Sequence, residues 1–267
     1  MKENCTLEQV IQVVKDASPL MVESFEIEEK IGGAVNLVTT SDNAVQKFLY
    51  EHLTALLPGS GFFGEEVVTP RTDAEYVWVV DPIDGTSNYA RSDRDCAISV
   101  ALKRDDELLM GVVYSPARGE LYSAEKGKGA FLNGKKISVS KRTSREALLF
   151  TAMSIYYKEY AGLCAAVMEE GFRRFNDIRR YGSAAVEICQ LARGYAEMYF
   201  ELRLNAWDYA ASMLILTEAG GYVSDHDGVQ PSLTGSDMIC CANSKENLSE
   251  LLQIIKKHIV KLPYTKS

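Results

Sequence analysis

Histidine is scarce: only three occur in 267 residues. None of the six cysteines stands in a Cys-x-x-Cys pair. Zinc centres use closely spaced Cys and His ligands, so the pattern argues against zinc. Cys5, Cys96, Cys164, Cys189, Cys240 and Cys241 show no disulfide-frame spacing and read as reduced, mostly buried thiols. There is no excess of basic residues. The formal net charge is −8, which speaks against broad attraction to nucleic acid or to an anionic membrane. No apolar run approaches ~18 residues, so no membrane span is expected. The opening MKENCTLEQV lacks an apolar signal core. These absences together predict a cytoplasmic chain.

What is present suffices for one large core or two closely packed halves, with 46% hydrophobic residues. Leu7, Val10, Ile11, Val14, Met21 and Phe25 recur at mostly helical spacing, with Pro19 disturbing the middle. Residues 27–40 are polar or glycine-bearing and read as a loop around Gly32-Gly33. A second helix is expected from the N-cap candidates Ser41-Asp42 to Pro58-Gly59. The run 76-YVWVV-80 reads as a strand. Residues 95–139 read as antiparallel strands, with turns at Asp105-Asp106, Gly119 and Asn133-Gly134. Beyond residue 146 the pattern changes. Strands are expected near 147–152, 172–178, 195–201 and 238–242, and helices near 156–170, 183–193, 207–219 and 244–260. The order predicts an α+β half over 1–145 followed by an α/β half over 146–267, packed as layers in one compact unit.

Three acidic groups stand at the edges of apolar segments. They are Glu65-Glu66 in GEE, Asp81 and Asp84 in DPIDGT, and Asp208 in AWDYAAS. Carboxylates so placed lose water and repel one another unless something compensates them. Hard divalent cations do so, and an all-oxygen donor set suits Mg²⁺, Mn²⁺ or Ca²⁺. Pro82 stiffens the bend between the two aspartates, which can bring both carboxylates and the Ile83 carbonyl to one side. Gly85 permits close approach to the backbone, and Thr86 can open a short helix whose N–H groups face a phosphate.

Plainer readings exist for each group alone. Asp-Pro-x-Asp-Gly is a good turn sequence. Glu65-Glu66 could be a solvated pair, and Asp208 a residue favoured by a helix dipole. A calcium loop would want glutamate at the twelfth position, where Ser92 stands. His226 in 225-DHDG-228 reads as a turn, with metal binding as the lesser alternative. Tyr89 and Trp207 read as packing residues.

From about residue 30 to residue 243 the chain resembles the inositol monophosphatase family of metal-dependent, lithium-sensitive phosphatases. The segments that carry the likeness are 37-LVTTSD-42, 64-GEE-66, 81-DPIDGTSN-88, 111-GVVYSP-116, 127-GKGAFLNGK-135, 182-GSAA-185, 207-WDYAAS-212 and 217-TEAGG-221. The resemblance implies a layered αβαβα sandwich of the sugar-phosphatase type, a homodimer, and Mg²⁺-dependent hydrolysis of a phosphate monoester. It implies two or three Mg²⁺ ions, with Mn²⁺ as a substitute. Glu65, Asp81 and the Ile83 carbonyl would hold one ion, and Asp81, Asp84 and Asp208 another. Asp42 with Thr86 would orient or deprotonate the attacking water, supported by Glu66. The Gly85 and Thr86 amides would hold phosphate oxygens. Gly182, Ser183, Ala184 and Glu201 would line the organic end.

Two cations about 3.5–4 Å apart would offset the repulsion between an anionic nucleophile and a phosphate dianion, so no protein nucleophile is needed. The expected substrate is a small phosphorylated polyol or sugar, foremost inositol monophosphate. Fructose 1,6-bisphosphate, 3′-phosphoadenosine phosphate and histidinol phosphate are the alternatives within enzymes. A regulatory binding protein on the same scaffold is the alternative from another class. Two positions depart from the family pattern. Asn36 stands where an aspartate is frequent, in a loop one residue longer, which bears on a third metal. Arg203 replaces a small residue, and is either a surface side chain or a partner for a second acidic group on the substrate.

Overall fold

The computed structural model describes residues 5–21, 27–29, 37–66, 71–91, 94–151 and 158–259. Helix α1 (Leu7–Ala17) starts at Thr6, which exchanges cap hydrogen bonds with Gln9. It gives way to a 3₁₀ turn over Ser18–Leu20 at Pro19, which cannot donate to the helix ladder. Where the sequence predicts a loop, strands β1 (Ile27–Glu29) and β2 (Leu37–Thr39) pair antiparallel. Three-residue strands are too short to leave a periodic signal. Asn36 and Gly32-Gly33 lie outside the described residues.

Helix α2 (Thr40–Leu56) begins earlier than its sequence suggests. Its N-cap is Thr39, not Ser41 or Asp42. Asp42 is instead the third helical residue, and its Oδ2 accepts from the Thr39 amide at 2.8 Å and the Thr39 hydroxyl at 2.5 Å. Several cap-competent residues stand in a row here, and the one with an acidic partner three positions on prevails.

Strands β3 (Gly61–Gly64) and β4 (Tyr76–Asp84) are parallel neighbours. The four-residue helix α3 (Thr86–Tyr89) follows. The antiparallel strands β5 (Ala97–Arg104), β6 (Glu107–Ser115), β7 (Glu120–Glu125), β8 (Gly129–Leu132) and β9 (Lys135–Lys136) complete a seven-stranded sheet in chain order. The predicted turns are there, with positive φ at Asp105, Gly119, Asn133 and Gly134. Strand β4 does not stop at Val80. Asp81 pairs with Ser99 and Asp84 with Ala97, so the Asp-Pro-Ile-Asp stretch carries one extra residue against β5. The bulge absorbs Pro82, which has no N–H to give a ladder.

The second half holds β10 (Leu148–Thr151), α4 (Ala161–Arg174), β11 (Asp177–Arg179), α5 (Ala184–Ala192), β12 (Met198–Asn205), α6 (Ala206–Glu218), β13 (Tyr222–Ser224), β14 (Ser236–Ala242) and α7 (Lys245–Ile259). Its strands form a mixed sheet in the order β11-β10-β12-β14-β13. Helix α4 runs through Arg174 and takes residues expected in a strand from 172. Glu169–Arg173 and Glu170–Arg174 pairs, one turn apart, favour those last turns. Strand β13 was not expected; it is three residues long and gains its place only by pairing with β14.

The elements stack in five layers. Helices α1 and α2 cover one face of the first sheet, packing Val14, Val45, Leu49 and Leu53 against Trp78, Val80 and Ile98. Helices α5 and α6 lie between the sheets, with Ile188, Ala210 and Leu214 against Val79 and Val113 on one side and Tyr199 and Ile239 on the other. Helices α4 and α7 close the far side through Leu163, Val167, Leu251 and Ile254 on Phe200 and Cys240. The αβαβα arrangement explains the unbroken apolar runs: β4 and β14 are covered on both faces. All six cysteines are buried, and none of them forms a disulfide.

Candidate active site

The bulged end of β4 faces the N-termini of α2, α3, α5 and α6. Each helix start brings a polar side chain: Asp42, Thr86, Ser183 and Asp208. The backbone orients the carboxylates. Asp81 Oδ1 accepts from the Ile83 amide at 2.9 Å. Asp208 Oδ2 accepts from the Asn205 amide at 2.7 Å, in a capping box like that of Asp42. Asp84 Oδ2 accepts from the Ser183 hydroxyl at 2.5 Å and the Ala185 amide at 2.7 Å. This last link ties β4 of the first half to α5 of the second.

The electrostatics are adverse without a counter-charge. Asp81 is 1% exposed. Burial pushes its carboxyl well above the ordinary aspartate range, and the charges of Glu65, Asp84, Asp208 and Asp42 push it further. Burial also raises Asp84, to about 6, against the lowering effect of its hydrogen bonds from Ser183 and the α5 amides. Asp208 is raised by burial and then by Glu65 and Asp84. The four helix N-termini supply partial positive charge, which offsets part of this repulsion. Buried, mutually repelling oxygen donors fit a hard divalent cation, and no sulfur or imidazole belongs to the set.

Gly85 has φ +87, and a Cβ there would stand 2.8 Å from the Asp95 carbonyl oxygen and 3.1 Å from the Ser183 side chain. The glycine thus serves close packing of the chain on itself as well as the left-handed start of α3. Thr86 Oγ1 lies 3.0 Å from the Ile83 carbonyl and 3.3 Å from Asp42 Oδ1. Glu65 and Glu66 follow β3; the Glu66 amide is held by Gln46 Oε1 at 3.0 Å. On β12, Glu201 Oε2 accepts from the Tyr199 hydroxyl at 2.8 Å. Burial lifts Glu201 to about 8, helped by Glu187 and Asp84.

Asp42, Glu65, Asp81, Asp84, Asp208 and Glu201 therefore gather at one place, while Glu66 is tied by its backbone to Gln46 of α2. One of the expected substrate-lining residues does something further. Ser183 and Ala184 sit at the start of α5, and Ser183 is 1% exposed and anchors Asp84. Trp207 packs edge-on to Phe63 at 5.0 Å between ring centres, and the Tyr89 hydroxyl donates to Ser41 at 2.9 Å. The Asp225-His226-Asp227 turn brings three ligand atoms within 4.8 Å. Asp225 there closes a turn by accepting from the Asp227 and Val229 amides. Sequence reasoning passed over Asn88, which donates to the Asp95 carbonyl at 2.7 Å and the Tyr181 carbonyl at 2.6 Å. It also passed over Glu187. That signal was legible: one acid in AAVEICQLA, a helix buried on every side.

The sequence profile described as the inositol monophosphatase family matches residues 3–260. An inositol-1-monophosphatase of Mesorhizobium japonicum is 30% identical over 96% of this chain and 98% of its own. One of Caulobacter vibrioides is 36% identical over 78% of this chain and 85% of its own. Among solved structures, the Thermotoga maritima IMPase superimposes with a TM-score of 0.85 at 27% identity, covering 96% of this chain and 98% of the other.

Proposed function

Because the chain belongs to the inositol monophosphatase family, whose members are Mg²⁺-dependent phosphoric monoester hydrolases, we propose that its own substrate is inositol monophosphate or a closely similar phosphorylated polyol. The observation that carries this reading is the burial of Asp81 among Glu65, Asp84, Asp208 and Asp42. Glu65, Asp81 and the Ile83 carbonyl would hold one Mg²⁺, and Asp81, Asp84 and Asp208 would hold the second. When bound, the cations neutralise the ester dianion and supply an acidic water and a stabilised leaving oxygen.

The protein's own groups do the positioning. Backbone amides grip one oxygen of Asp81 and of Asp208, which aims the opposite oxygen at the cation site. Thr86 has one hydroxyl proton to share between the Ile83 carbonyl and Asp42 Oδ1. Once that carbonyl is engaged elsewhere, Thr86 gives its proton to Asp42 and takes one from the attacking water. Thr39 keeps Asp42 oriented for this through Oδ2. Glu66 supports this water through the surrounding hydrogen bonds. The Gly85 and Thr86 amides receive phosphate oxygens, and Gly182, Ser183, Ala184 and Glu201 face the polyol. The two halves, 1–145 and 146–267, act as one unit in this reading, since Asp81 and Asp84 come from the first and Asp208 and Glu201 from the second.

The working form is proposed as a cytoplasmic homodimer. Among the described residues no helix is long and apolar enough to cross a membrane. Phosphate release from inositol monophosphate, fructose 1,6-bisphosphate, 3′-phosphoadenosine phosphate, histidinol phosphate and p-nitrophenyl phosphate tests the reading. The expected result is the highest kcat/KM on inositol monophosphate, abolished by EDTA and restored by Mg²⁺. Equal rates with and without Mg²⁺, or a clear preference for another ester, would overturn it.

A further inference from the structure

Helix α5 is buried along its whole length, yet Glu187 stands in its first turn at 0% exposure. Its Oε1 accepts from two successive backbone amides, those of Tyr181 and of Gly182, the latter at 3.1 Å. Its Oε2 is buried and has no hydrogen-bond partner among the described residues. An orphaned carboxylate oxygen in a core is destabilising, so a mere packing role would favour an apolar side chain. The turn it holds is fixed from two more sides. Asn88 donates to the Tyr181 carbonyl at 2.6 Å, and Ser183 donates to Asp84 at 2.5 Å. Gly182 has φ +88, and a Cβ there would press on the Asn88 amide at 3.3 Å. The turn therefore has little room to settle elsewhere while Glu187 grips its amides.

We propose that Glu187 is a positioning residue for substrate selection: by gathering the Tyr181 and Gly182 amides it sets the Gly182–Ala184 turn at the height where the organic part of the ester lies, opposite Glu201. The inference rests on the proposed assignment of that turn and Glu201 to the polyol end. Glu187 touches no substrate itself. It acts through the turn, and leaves the phosphate and cation end to the β4 carboxylates. Burial raises the Glu187 carboxyl to about 7, and Asp84 adds to the rise. Its amide isostere should therefore serve the same grip without that cost.

The test uses the full chain in Mg²⁺, with Glu187→Ala and Glu187→Gln. Glu187→Ala is expected to raise KM for inositol monophosphate about tenfold. Its kcat, and both constants for p-nitrophenyl phosphate, should stay within about twofold. Glu187→Gln keeps an acceptor oxygen and should rescue KM to within about threefold of wild type. Hydrogen exchange at the Tyr181 and Gly182 amides should speed up in Glu187→Ala by about a hundredfold and not in Glu187→Gln. Equal KM changes on both esters would overturn the proposal, and so would unchanged amide exchange. If wild-type protein does not hydrolyse inositol monophosphate, the polyol reading fails separately. The exchange measurement then decides the grip by itself: acceleration supports it and no change overturns it.

Discussion

Asp84 shows how much one side chain carries. It ends β4, accepts from the first residues of α5, and stands among the other carboxylates. Asp84→Asn keeps its volume but removes the charge a cation needs. At saturating Mg²⁺, kcat/KM should fall about a hundredfold or more, while the melting temperature in EDTA holds or rises because a buried charge is gone. Near-normal turnover would count against its role. The sequence disclosed Asp81, Asp84 and Asp208 because acids beside apolar segments are conspicuous. It disclosed nothing of Asn88 or Ser183 as anchors. Their partners, the Tyr181 carbonyl and Asp84, are far away in sequence, and an uncharged polar residue in a loop leaves no mark of what it will meet.

At the scale of elements, helix starts do the positioning. Thr39 caps α2 and at the same time clamps Asp42. Thr6 caps α1 with the same box but lies away from the site. Thr39→Ala and Thr6→Ala should each cost about 1 kcal/mol in urea unfolding. Only Thr39→Ala should also lower kcat, by about tenfold, because Asp42 loses its orientation. Equal kcat in the two variants would remove Asp42 from the proton path. Most elements were legible from periodicity and turn residues, as with Asn133-Gly134 between β8 and β9. The misses share a cause. The short strands β1, β2 and β13 form only because a partner strand lies beside them, and the bulge that carries β4 through Asp84 depends on β5.

For the whole molecule, the gathered carboxylates predict how stability responds to pH. Asp84 near 6, Glu187 near 7 and Glu201 near 8 are all raised above their unfolded values. Their contribution is complete below the unfolded carboxylate range and is lost as pH rises through the folded values. Glu170, held near 2 by Lys257 and then His258 and Arg174, stays ionised over this window and adds no slope. In EDTA, the melting temperature should therefore fall between about pH 5 and about pH 8. Mg²⁺ should raise it more at the upper end, where the ligands have lost their protons. A Mg²⁺ effect that is equal at both ends would contradict the linkage. The sequence alone determined the chemistry on offer: oxygen donors without zinc ligands, strands buried on both faces, and a turn rigid enough to present two aspartates. Which acids meet, how deeply they lose water, and which turn Glu187 holds were decided only by tertiary structure. The reason is physical: those properties arise from contacts between residues distant in the chain, and no local pattern encodes the distance between them.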